Sequence, residues 1–145
     1  MTIALTQPEL PSSPAGDLTL FSDTLLGGKP NSDQRVFSNA DHSFAVELDL
    51  IVESSAGNVS GDYSQVRDAA RGRVSTVHES SMPPIGDRAN QYVGATNDGK
   101  SISTITFVRG DVICAVLVAA AGGLVVDPTY ASNVASAQDQ KIQNH

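Results

Sequence analysis

The chain has no tryptophan, four phenylalanines and three tyrosines, and a single cysteine among 145 residues. With so few aromatic rings, a core has to be built from Val, Ile, Leu and Ala. One cysteine excludes an intrachain disulfide, so redox chemistry does not fix a compartment. That residue, Cys114, lies in the apolar run Val112-Ile113-Cys114-Ala115-Val116-Leu117-Val118 and reads as a small buried hydrophobe rather than a nucleophile. Basic side chains are also scarce: nine Lys and Arg stand against sixteen Asp and Glu, for a formal charge of −7. Nucleic-acid affinity comes from clustered cations, and docking on anionic lipid needs them too, so neither partner is expected. No apolar stretch reaches the roughly 18 residues of a membrane span. The longest, Val112 to Val126, is broken by Gly122-Gly123.

Recognisable chemistry is equally sparse. His42, His78 and His145 have no spacing that metal sites use, and neither a G-x-S-x-G elbow, a G-x-G-x-x-G loop nor a phosphate-binding loop occurs. No catalytic residue, cofactor or metal ligand is predicted. Asn58-Val59-Ser60 matches a glycosylation sequon, but Ser60 reads better as a helix cap. Arg109-Gly110-Asp111 spells an adhesion tripeptide; between two strong strands it reads as a hairpin turn.

Residues 1–33, with Pro8, Pro11, Pro14 and Pro30, form a Pro/Gly/Ser-rich segment, read as an extended arm in which Leu18 to Phe21 is a short strand. Residues 34–145 read as one domain, a size that supports a core without staples. Arg35 to Phe37 is a strand candidate. From Ser43 to Glu53, Val46, Leu48, Leu50 and Val52 alternate with Glu47, Asp49 and Glu53, which predicts a half-buried strand with one solvated face. Tyr63, Val66, Ala70, Val74 and Val77 recur at helical spacing and predict an amphipathic helix over about 60–79. Ala89 to Ala95, Ser101 to Val108 and Val112 to Ala119 are strands joined through Asn97-Asp98-Gly99-Lys100 and Arg109-Gly110-Asp111, a meander whose last member is apolar on both faces. Asp127-Pro128 opens a final helix over 127–143. The predicted class is α+β: a largely antiparallel sheet of about five strands with two flanking helices.

The second half resembles a group of bacterial secreted and lipoprotein domains of sensor type, the PsbP-like sandwich modules. The likeness rests on Ile85-Gly86-Asp87-Arg88-Ala89, on Ile105 to Val112, on the helix opened by Asp127-Pro128 and on Leu10-Pro11 near the start. It implies an α+β sandwich, usually outside the cytoplasm, and carries no catalytic residue across. The N-terminal Met-Thr-Ile-Ala-Leu lacks the basic start of a signal peptide, so the protein is expected either in the cytoplasm or with a leader removed.

Three functions remain open at this level. The first is a non-enzymatic binding or sensor module for a small molecule or a protein. The second is a structural subunit of a homo-oligomer, joined through the arm and the doubly apolar strand. The third is a small-molecule enzyme with a pocket between sheet and helix, where Asp49, Tyr63 and Tyr92 supply the polar groups.

Overall fold

Alternation along the strands decides which helix covers which face of the sheet. The computed structural model describes residues 3–75, 78–79 and 82–145. Seven strands, β1 (Thr19–Thr24), β2 (Ser32–Ser38), β3 (Phe44–Val52), β4 (His78–Glu79), β5 (Arg88–Ala95), β6 (Ser101–Arg109) and β7 (Val112–Ala120), form one sheet in the order β1-β2-β3-β7-β6-β5-β4. Every neighbouring pair is antiparallel. Helix α1 (Ala56–Gly72) connects β3 to β4, and α2 (Pro128–Gln143) follows β7. The α+β class and the antiparallel sheet agree with the sequence reading. The strand number does not: there are seven rather than about five.

β7 is central, and its two apolar faces go to different layers. Val112, Cys114, Val116 and Val118 join Val46, Leu48, Leu50, Ile105 and Phe107 in the main core, together with Tyr130, Ala131, Val134 and Ala135 of α2. The odd positions turn the other way. Ile113 packs with Tyr63 of α1, and Ala115 and Leu117 pack with Ala70 of α1. The sheet is thus sandwiched between helices, with a large core under α2 and small clusters under α1. Cys114 is fully buried, and burial pushes its thiol well above the usual range, as an inert apolar position requires.

Residues 3–18 belong to the α2 side of the sandwich. Ala4, Leu5 and Leu18 are buried in the main core. Gln138 of α2 accepts from the Leu5 backbone N–H at 2.9 Å and donates to the Ile3 carbonyl at 2.6 Å. Lys141 donates to the Ala4 carbonyl, and the Tyr130 hydroxyl to that of Pro11. From the sheet, one Arg35 nitrogen donates to the carbonyls of Ala4 and Leu5. The segment then runs into β1, an edge strand whose pairing with β2 shifts register between Leu20 and Ser22. A bulge there blunts an otherwise open edge.

The first helix needs the largest correction. It covers Ala56–Gly72, not 60–79, with Ser55 rather than Ser60 at the N-cap position. Gly57, Asn58 and Gly61 disguise its first turns as loop, but Val59 and Val66 pack beside Tyr63 and Ile113, and that burial outweighs weak propensity. At the other end the chain leaves the helix after Gly72. Val74 is buried all the same, and the Ser75 N–H donates to the Ala95 carbonyl, so an apolar spacing that reads as helix continues in a chain already docking on the sheet. Val77 lies outside the described residues. His78, expected at the helix end, starts β4. The second helix starts as read: the Asp127 carboxylate accepts from the Thr129 N–H at 2.9 Å, with Pro128 in the first turn.

Candidate functional site

β3 presents Glu47 and Asp49 to the α1 side, and that side is not simply solvated. Both residues are half-buried, because a helix lies over the neighbouring strands. Period-two alternation says which residues share a face; it does not say what packs on that face. Register sets their neighbours. Asp49 sits between Gln34 of β2 and Ala115 of β7, and Glu47 between Val36 and Leu117.

β2 and β3 are contacted by the short helical turn Leu26–Gly28, while α1 packs on β6 and β7. Its near flank carries the small residues Ala69 and Ala70. A cleft of about 400 Å³ remains between that flank and the sheet, within the size of small-molecule sites. Gln34, Glu47, Asp49, Ala115 and Leu117 belong to its sheet side, Val66, Ala69, Ala70 and Arg73 to its helix side, and Leu26 and Lys29 to the segment between β1 and β2. The walls are mainly aliphatic, and the polar groups collect on β2 and β3.

Those polar groups form a linked set. The Gln34 amide nitrogen donates to Glu47 Oε1 and to Asp49 Oδ1, both at 3.1 Å. Arg73 reaches the other Glu47 oxygen at 3.5 Å. Asp49 makes no ion pair among the described residues. Burial, reinforced by the negative charge of Glu47, pushes its carboxyl up to about 7 against the pull of the Gln34 hydrogen bond. Two carboxyl groups this close do not ionise independently, and Asp49 gives up its proton only near neutrality.

The three residues expected to line one pocket are placed apart. Asp49 lines this cleft. Tyr63 is buried under α1, where its hydroxyl lies 2.6 Å from Asn90 Oδ1 and 3.2 Å from the Thr106 carbonyl, and the Arg88 guanidinium sits 4.6 Å from its ring centre. Its polar end is thus absorbed by the fold. Tyr92 lines a separate shallow depression with Arg67, Asp68, Arg71 and Glu79, and the Arg71 guanidinium lies 5.7 Å from its ring. Glu47 is read in the sequence beside Asp49 on one strand face, whereas Gln34 and Arg73 escape a sequence reading because only the β2–β3 register and the helix offset bring them in. The charge alternation in β3 was the one available signal.

Among the described residues, no group of three or more His, Cys, Asp or Glu side chains converges as metal ligands would. No helix among them is long and apolar enough to cross a membrane. No protein-family model, no curated protein and no solved structure matches this chain.

Proposed function

We propose that this domain is a non-enzymatic binding module of the sensor type, and that its ligand is a small molecule held in the cleft between α1 and strands β2 and β3. One observation carries the reading. Asp49 is a half-buried acid without an ion pair among the described residues, set in the wall of an aliphatic cleft large enough for a ligand. Among the described residues no Ser, Cys or His lines that cleft to serve as a nucleophile or imidazole base, which favours binding over covalent catalysis. A location outside the cytoplasm belongs to the same proposal and rests on the likeness of the Ile85–Ala89 and Ile105–Val112 turns to secreted sensor-type domains.

The test is a fragment screen read by backbone amide shifts. Hits are expected to move the amides of Asp49, Ala70 and Leu117 in the native protein. They should leave them unmoved in Ala69→Phe, where an exposed wall position is enlarged to fill the cleft while the core stays untouched. A screen without hits at those amides, or hits that persist in a folded Ala69→Phe protein, would overturn the reading.

A further inference from the structure

We propose that the cleft selects small organic cations, a primary ammonium on a short aliphatic body, with the ammonium seated against Asp49 and Glu47. This inference rests on the binding reading above and names its ligand class.

The walls and the polar end call for different halves of such a molecule. Ala69, Val66 and Leu117 offer aliphatic contact to a chain of a few carbons, where affinity grows with the apolar area covered. The carboxyl pair offers acceptors only, once Asp49 has lost its proton. Gln34 satisfies one oxygen of each acid through a single amide nitrogen, and Arg73 engages the remaining oxygen of Glu47. Asp49 is therefore the acid whose charge the protein itself leaves without an ion pair, among the described residues. An ammonium has three donors and fits that need. A carboxylate ligand would bring further negative charge to a wall that already holds two acids. A neutral ligand would offer no counter-charge to Asp49.

Every titratable group facing the site bears on the exchange. Glu47 and Asp49 come from β3, Arg73 from the residue just after α1 and Lys29 from the rim, while Gln34 of β2 does not titrate. Arg73 is half exposed and paired with Glu47; its charge also reaches Asp49, but it makes no ion pair with it. Binding of an ammonium favours the ionised Asp49 and expels the proton it holds at lower pH. The ligand's charge takes its place, and affinity rises with pH through neutrality as Asp49 becomes easier to ionise.

Three isosteric probes decide the matter: n-hexylammonium, 1-hexanol and hexanoate, titrated into the native protein, Asp49→Asn and the surface control Asp68→Asn. Amide shifts locate each probe and calorimetry in two buffers counts protons. The ammonium is expected to bind about tenfold tighter than the alcohol, as loss of a charge-assisted hydrogen bond predicts. It should release protons at pH 7, and its preference should vanish in Asp49→Asn but survive in Asp68→Asn. Thermal melts establish that both variants fold. If the alcohol or the carboxylate binds the cleft as tightly as the ammonium, the cation inference is overturned while the binding cleft stands. If none of the three moves the cleft amides and the fragment screen is also empty, both fall together.

Discussion

Arg109 and Asp139 meet in a two-point ion pair, Nε to Oδ1 at 2.8 Å and Nη2 to Oδ2 at 2.9 Å. The contact ties the β6–β7 turn to α2. Asp87 completes the set, accepting from Arg109 and from the Gly110 N–H, and Asp139 also accepts from the Gly86 N–H at 3.0 Å. The arginine of the Arg109-Gly110-Asp111 tripeptide is thus occupied by the fold, in keeping with a turn. Asp139→Ala is expected to cost about 2 kcal/mol, since it leaves a charged donor and a backbone N–H without their acceptor. Asp111→Asn should be close to neutral, because the Asp111 group the fold uses is its backbone carbonyl, which accepts from the Glu53 N–H. Paired thermal melts check both. A large loss in Asp111→Asn would mean that its side chain matters in a way the turn does not explain.

Gly86 and Gly110 both have positive φ, at +63° and +61°, yet they should respond differently to alanine. A Cβ on Gly110 meets nothing within 4 Å, whereas one on Gly86 would stand 2.4 Å from the Val108 carbonyl oxygen. Gly110→Ala then carries only backbone strain, about 1–2 kcal/mol. Gly86→Ala adds a clash with a strand that cannot retreat and should cost more than 3 kcal/mol or block folding. Of the two positions, only Gly110 lies in the β6–β7 turn, where it alone takes up the positive φ. Urea titration of the two variants gives the comparison, and equal losses would refute it.

The acids predict a stability maximum on the mildly acidic side. Asp49 is held up near 7, chiefly by burial, and Asp33 near 6, again chiefly by burial. A carboxyl raised in the folded state favours folding while protonated, so both contributions fade as pH rises from about 4 to 7. Asp139 works in reverse. The hydrogen bonds from Arg109 lower it, so its contribution is present above the usual carboxylate range and is lost as pH falls below it. Melting temperature should therefore peak between about pH 4 and 6. Asp49→Asn should raise stability at pH 7.5 by on the order of 2 kcal/mol and leave it little changed at pH 4.5. Equal gains at both pH values would show that desolvated charge is not the cause.

Thr104 and Thr106 are buried between the sheet and α1, and neither hydroxyl has a hydrogen-bond partner among the described residues. Thr106→Val keeps the shape and removes the unsatisfied group. It should stabilise by about 1 kcal/mol, read as a higher denaturant midpoint with an unchanged slope. A destabilised variant would point to a water or a ligand group at that hydroxyl.

β7 was legible because seven consecutive apolar residues leave no choice but coverage on both faces, and the start of α2 because Asp127-Pro128 satisfies the first turn from its own side chain. The main-core face of β3 was legible for the same kind of reason: Val46, Leu48 and Leu50 recur at the strand period. Features that depend on tertiary context were not. Gly57 and Gly61 hide the beginning of α1, and β4 consists of two exposed residues, His78 and Glu79, that gain strand character only from pairing with Val93 and Tyr92. The cleft is the clearest case. Asp49 stands out in the sequence as one acid of an alternating set, but its meeting with Gln34 is a matter of strand register, and its burial depends on where the following helix comes to lie.

The clasp between residues 3–5 and α2 has a consequence for the order of assembly. Its hydrogen bonds join positions 133 to 137 residues apart. During synthesis residues 3–5 have no α2 to grip until all the residues that separate the two have been made. Ring closure over such a span is entropically unfavourable in a loose chain and cheap only after the sheet has brought the ends together. The clasp should therefore close late, after the rate-limiting barrier. Weakening it through Gln138 should leave the refolding rate almost unchanged and speed unfolding, so the clasp governs how long a native molecule persists rather than how quickly one forms.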